Sequence, residues 1–374
     1  MKPATMTVAV IGRGLMGSAA ARHLAKAGLQ VTVLGPPEPE NKQNHSGVFG
    51  SHYDEGRITR KNALDPWWVN VSTAAIDRYA DIEAESGIRF FAEVGAVMAG
   101  KPDWLARVDA GRLAHDVPCD VLDADALRAR FPYFAFSPDI QGYHEPDRAG
   151  HISPRRLVAA QTEAARRAGA RHLDCVVHGV EMRGAQILVS TDKESHTFDH
   201  VLVAGGYATD HILDRPKTLD IYARTVALFE LSDTEVVRLR DMPTLVYDTP
   251  EDPYLLPPIR YPDGKNYLKL GGDPHDVPLN DMAAVSAWFR AGGSADVRDQ
   301  LEVMIRRLMP DLQIASVKMD ACVTSWTHDR RPEIGHVSDR IAVCTGGNGA
   351  GAKCSDELGR LGAALIAKHA GATI

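Results

Sequence analysis

The residues with the clearest chemical signature form Gly12-Arg13-Gly14-Leu15-Met16-Gly17, a GxGxxG string between an apolar run, Thr7–Ile11, and an Ala- and Leu-rich stretch, Ala19–Ala27. Each glycine has a physical task in that setting. The first permits a tight turn, the second lets the backbone approach a pyrophosphate, and the third lets the helix pack close to the strand. The helix N-terminus adds N–H groups and the positive end of its dipole. With 32 glycines in the chain, the string alone would arise by chance; a strand before it and a helix after it make it a dinucleotide site. An acid usually ends the second strand of such a unit and binds the ribose hydroxyls, but here that position reads Leu34-Gly35-Pro36. Either Glu38 or Glu40 reaches back, or backbone and water hold the ribose. The string does not distinguish NAD from FAD.

Other chemistries lack their residues. The 15 histidines include no HExxH, no Cys/His cluster has zinc spacing, and neither GxSxG nor GxxxxGK[ST] occurs. The five cysteines are odd in number and form no CxxC, which fits thiols in a reducing, cytoplasmic setting. A net charge of −7, from 42 basic and 49 acidic residues without a basic run, argues against nucleic acid and anionic membrane surfaces as partners. No stretch approaches the roughly 18 apolar residues of a membrane span. The opening residues Met1–Met6 lack the apolar core of a signal peptide.

The elements that must position this chemistry start as strand 7–11, helix 19–27 and strand 30–34, a βαβ unit and hence a parallel sheet. The Pro/Gly/Asn/Ser-rich stretch 35–51 is too long for a plain connection and reads as a working loop. A helix is expected over 74–86, strand-bearing sequence over 90–99, and a helix over 154–168. Strands are expected at 172–177, 186–190 and 200–203. Short strands follow between 222 and 318, with helices near 282–291 and 297–308. The chain then returns to βα character: strand 340–343, glycine-rich loop 346–351 and helix 355–368. The fold class is α/β, α+β overall, with one Rossmann-like domain assembled from separate segments around two insertions.

Four strings extend the case. They are Gly50-Ser51-His52-Tyr53-Asp54-Glu55-Gly56-Arg57-Ile58-Thr59-Arg60, Leu268-Lys269-Leu270-Gly271, Cys322-Val323-Thr324-Ser325-Trp326-Thr327-His328-Asp329 and Gly346-Gly347-Asn348-Gly349-Ala350-Gly351-Ala352-Lys353. In this order and spacing they resemble the monomeric sarcosine oxidase and N-methyltryptophan oxidase branch of the D-amino-acid-oxidase-like flavoproteins, nearly end to end. Ala204-Gly205-Gly206-Tyr207 is similar to that family's flavin-contact turn. The resemblance implies FAD, bound by a domain of segments 1–82, 150–215 and 320–374 interleaved with a mixed-sheet substrate domain, 83–149 and 216–319. Expected cofactor contacts are Gly12, Arg13, Gly14, Leu15, Met16, Gly17, Ser51, Arg57, Gly206, Cys322, Gly347, Gly349, Gly351 and Lys353. Cys322 matches the cysteine that forms a thioether to the flavin 8α-methyl; by itself it reads as a buried thiol. Arg57 matches an active-site arginine, and Arg60 and Lys353 match the cations that take the substrate carboxylate. By spacing alone, Arg57 and Arg60 read equally well as a solvated or phosphate-facing pair. Lys269 matches the lysine over the flavin that serves oxygen reduction, where a lone strand lysine would otherwise face solvent.

The implied reaction moves a hydride from the carbon next to a secondary amine to flavin N5. Water hydrolyses the resulting imine, and dioxygen becomes hydrogen peroxide. At Tyr53 and Asp273 the branch has histidines, and at Thr324 an aromatic; Tyr254 matches a pocket tyrosine. Those exchanges make a roomier, more polar pocket, which suits a fructosyl amino acid better than sarcosine. The alternatives are an oxidase of N-methyl or cyclic amino acids, and an amine dehydrogenase serving an acceptor other than oxygen. The expected partners are a small amino-acid-derived substrate and O₂, with the protein a monomer or small homo-oligomer.

Overall fold

The computed structural model describes residues 6–273 and 275–374. Strand β1 (Thr7–Ile11), helix α1 (Leu15–Lys26) and β2 (Gln30–Leu34) form the expected unit. Val8, Ala9, Val10 and Ile11 are all buried, because layers cover both faces of the strand and a continuous apolar run is what such a strand requires. Helix α1 begins at Leu15, four residues earlier than its composition suggests. Gly17 is a poor helix former, but its missing side chain is the reason the turn closes. A Cβ there would lie 1.9 Å from Gly12 O.

After the long loop come β3 (Arg57–Thr59), α2 (Pro66–Asp77) and α3 (Tyr79–Ser86). The single helix expected over 74–86 is therefore two. Asp65 caps α2 by accepting from Trp67 N at 2.9 Å, and Pro66 takes its first position, so the helix starts early. The break falls at Arg78, whose side chain is pinned by Asp356 and Glu357, each at 2.5 Å. Then follow β4 (Gly150–Ile152), α4 (Pro154–Arg167), β5 (Arg171–Leu173) and β6 (His200–Val203). Farther along the chain are β7 (Leu219–Leu231), β8 (Tyr254–Arg260), β9 (Asn266–Gly271), α5 (Ala295–Leu308) and β10 (Ser316–Thr327). The chain closes with β11 (Glu333–Ser338), β12 (Ile341–Thr345) and α6 (Gly351–His369).

Two large sheets result. One is six-stranded in the order β11-β12-β6-β1-β2-β5, parallel apart from β11. It is an open α/β sheet in which β1 pairs with β6 on one side and β2 on the other. The other is a nine-stranded mixed sheet in which β7 pairs antiparallel with both β9 and β10. The boundary expected at residue 320 falls inside β10, whose pairing with β7 runs from Ser316 to Thr327. Alternation along β9 decides where its lysine goes. Leu268 and Leu270 join the core under α5 with Leu301 and Ile305, each worth about 1.5–3 kcal/mol of burial. Lys269, between them, points to the opposite face.

Candidate active site

A cleft open to solvent, with about 1220 Å³ of space when its open mouth is included, is lined by the glycine turn and by β10. Its walls include Gly12, Arg13, Gly14, Leu15 and Met16 of the turn, then Ser51, Tyr53, Arg57 and Gly206, and also Cys322, Thr324, Gly347, Gly349 and Gly351. Gly17 lies beneath the turn rather than on the wall.

The walls fit FAD on direct structural grounds. Gly12 has φ +102°, and a Cβ on it would meet Ala204 O at 2.3 Å, so the chain itself demands glycine there. Gly14 differs: a Cβ would meet only His52 Nδ1, at 3.8 Å, which leaves open space for a close-approaching phosphate. The N-terminus of α1 has no side-chain cap, so its amides stay available to an anion. His52 lines the cleft as a neutral ring, since burial lowers its pKa to about 4.

At the ribose end, Glu38 is engaged by Arg155, both oxygens accepting at 2.8 Å. Arg13 spans from the turn to Asp174, just beyond β5, while a Cβ on Gly35 would lie 3.1 Å from Arg13 Cγ. The side chain of Arg13 thus packs where the second strand would otherwise present its acid.

At the other end a chain of contacts joins the predicted residues. Cys322, 8% exposed, has its sulfur 3.1 Å from an Arg57 terminal nitrogen, while its carbonyl accepts from Trp288 Nε1 at 3.0 Å. The same Arg57 nitrogen lies 3.5 Å from Asp54 Oδ2. Asp54 pairs with Lys269, which is 0% exposed and also donates to Gly56 O at 2.7 Å. Tyr254 places its ring 5.9 Å from the Lys269 ammonium. Burial disfavours every charge here. At Arg57 the neighbours Cys322 and Asp54 outweigh it and raise the pKa. At Asp54, Lys269 and Arg57 outweigh it and hold the carboxyl well below its usual range. At Lys269 burial and Arg57 prevail over Asp54, and the pKa is lowered.

Arg60 and Lys353 form a second, buried cationic pair; neither is on the cleft wall, although Lys353 follows Ala352, which is. Arg60 donates one terminal nitrogen to Asn62 O at 2.6 Å, but its Nε is buried without a partner. Lys353, 5% exposed, has no hydrogen-bond or ion-pair partner on Nζ among the described residues. Burial lowers its pKa to about 8, with Arg60 adding to the effect and Cys354 and Glu145 opposing it. Glu145 accepts from the Lys61 and Asn62 amides, both at 2.9 Å. Asp273 is not on the cleft wall; its carboxylate accepts from Thr225 N at 3.1 Å. Sequence reasoning assigned no role to Asp54, Gly56, Glu145 or Asn348. The last clamps the glycine loop to β10, accepting from Thr327 N at 2.9 Å and donating to Gly346 O at 2.8 Å. Asp54 and Asn348 stood inside the quoted strings, but nothing local marks an acid as the partner of a lysine more than two hundred residues away.

Among the described residues there is no group of His, Cys, Asp or Glu able to hold a metal, and no helix is long and apolar enough to cross a membrane. The chain is similar to monomeric sarcosine oxidase of Streptomyces avermitilis, 28% identical over 381 residues, covering 96% of this chain and 93% of that protein. It is also similar to N-methyl-L-tryptophan oxidase of Yersinia pestis, 25% identical over 370 residues, covering 96% and 94%. Among solved structures, NikD, an unusual amino acid oxidase, superposes with TM-score 0.77 at 20% identity, covering 98% and 95%. Fructosyl amine:oxygen oxidoreductase (Amadoriase I) from Aspergillus fumigatus does so with TM-score 0.74 at 20% identity, covering 97% and 87%. The family model described as FAD dependent oxidoreductase matches residues 7–365, and with its cleft built for a dinucleotide the chain belongs to that family, whose members of this kind are amino-acid and amine oxidases acting on CH–NH groups.

Proposed function

We propose that this flavoprotein oxidises an amino acid carrying a substituent on its nitrogen, a fructosyl amino acid being the sharpest candidate, with dioxygen as acceptor. The observation that carries the reading is the pair of buried cations, Arg60, whose Nε has no partner, and Lys353, which follows Ala352 of the cleft wall. Unpaired buried cations are costly, and a substrate carboxylate would satisfy both, with the guanidinium offering a planar fork. FAD, when bound, takes the hydride from the carbon next to nitrogen. The protein's part is to fix the substrate by its carboxylate, turn that carbon toward the cofactor and admit the water that hydrolyses the imine. Lys269 supplies a fixed cation where charge develops on oxygen, and Cys322, whose position on the cleft wall supports the reading, serves as a covalent anchor for the flavin. The curated relatives bear the names of N-methyl amino acid oxidases, which supports a secondary amine. Tyr53 and Thr324 on the cleft wall support a polar substituent.

The test is a peroxide assay on fructosyl-valine, sarcosine, N-methyltryptophan, pipecolate and proline. Fructosyl-valine is expected to give the highest kcat/KM, and Arg60→Ala to raise KM for it at least tenfold while affecting a neutral amine little. Activity on sarcosine alone would remove the polar-pocket argument. Substrate-dependent bleaching of the flavin without peroxide in air would replace the oxidase by a dehydrogenase.

A further inference from the structure

We infer that Asp54 is the positioning residue that holds Lys269 in place and charged for oxygen reduction, an inference that rests on the role proposed for Lys269. Lys269 is removed from water on the inward face of β9, and its ammonium is met by Asp54 and by Gly56 O at 2.7 Å. A buried ammonium persists only where an opposite charge and hydrogen bonds replace its water. The surroundings supply little else. Arg57 on β3 repels the ammonium, and His151 on β4 faces it as a ring whose own pKa is lowered to about 4 by burial. Tyr254 on β8 offers its ring, and Cys322 on β10 contributes weakly in favour of the charge. Asp54 is therefore the principal group favouring the charged lysine.

Asp54 is itself fixed on three sides. Its Oδ1 accepts from Glu55 N at 2.7 Å and from Tyr261 OH at 3.2 Å, and its Oδ2 faces Lys269 and Arg57. A carboxylate bonded in this way neither titrates in the working range nor swings, so the lysine it holds is aimed as well as charged. Dioxygen takes two electrons from the reduced cofactor and two protons, and leaves as hydrogen peroxide. A cation assists that electron transfer by its charge, and a neutral amine does not. Removing the Asp54 carboxylate leaves Lys269 facing Arg57 with burial unopposed, so it loses its proton at a lower pH.

The experiment follows the flavin of dithionite-reduced enzyme by stopped flow after mixing with air-saturated buffer, from pH 6 to 10. It compares the wild type with Asp54→Asn, Asp54→Glu and Lys269→Met. The Asp54→Asn rate is expected to fall off at least one pH unit below the wild-type fall, Asp54→Glu to recover most of that displacement, and Lys269→Met to be slow throughout. Thermal unfolding of flavin-free Asp54→Asn, Lys269→Met and the double variant supplies a readout independent of turnover. The double variant is expected to lose less than the sum of the singles. An Asp54→Asn protein that folds only alongside Lys269→Met would express the same coupling. Slow Lys269→Met with an Asp54→Asn profile matching wild type and additive melting losses would overturn the role of Asp54 while leaving that of Lys269. Lys269→Met reoxidising at the wild-type rate would overturn both.

Discussion

Lys353 shows what the site costs at the scale of one side chain. Its folded pKa of about 8 lies below the ordinary lysine value of 10.5, so the fold disfavours its charge by roughly 3 kcal/mol at about 1.4 kcal/mol per pH unit. The sign follows from where protons bind. Below pH 8 both folded and unfolded chains carry the ammonium and the full penalty applies. Between pH 8 and 10.5 only the unfolded chain does, and the penalty fades with rising pH. Lys353→Met is accordingly expected to stabilise the flavin-free protein by about 2–3 kcal/mol at pH 7, with the gain gone by pH 10.5, as read by urea unfolding at several pH values. The same titration governs recognition. For a carboxylate substrate, kcat/KM is expected to fall as pH rises through about 8, and Lys353→Met to abolish that fall along with most of the affinity. A stable but poorly binding variant is the signature of a residue kept for chemistry.

At the scale of the element, the turn between β1 and α1 separates folding from binding within three residues. Gly12→Ala places a side chain against Ala204 O at a φ of +102° and is expected to cost about 3 kcal/mol or more of stability. Gly14→Ala has room, the nearest atom being His52 Nδ1 at 3.8 Å, so stability is expected to stay within about 1 kcal/mol while FAD binds at least tenfold more weakly. Denaturant titration and flavin fluorescence on the flavin-free proteins would read the two. Equal losses of stability would show that Gly14 serves the backbone rather than the ligand. This turn was fully legible in the sequence because its task is local. The same holds for β2, β6 and the helix at 282–291, whose ends agree with expectation. The break at Arg78 was not legible, since its cause, Asp356 and Glu357, lies at the other end of the chain. Glu38 likewise looked free to reach the ribose, and only the folded chain brings Arg155 to it. Asp273 looked like a pocket residue by its interval from Lys269, yet tertiary pairing turned it toward β7.

Across the whole molecule, the cofactor cleft is walled from both large sheets: by the turn between β1 and α1, and by Cys322 and Thr324 of β10. A thioether at Cys322 would therefore tie the flavin to the nine-stranded sheet while the glycine turn holds its phosphates. Acid-precipitated wild type is expected to keep its yellow colour, and Cys322→Ser to release it into the supernatant; colour released from both would mean that the flavin is not covalently held. The order β11-β12-β6-β1-β2-β5 bears on how such a protein is made. Strand β1 must wait for its neighbour at His200–Val203, and α1 packs on α6, which ends at His369. The nascent chain thus carries its glycine turn long before β6 and α6, which flank that turn in the folded protein, have been made. Through that interval the apolar faces of β1 and α1 lack their final cover, and surface exposed in this way is open to aggregation however stable the finished fold.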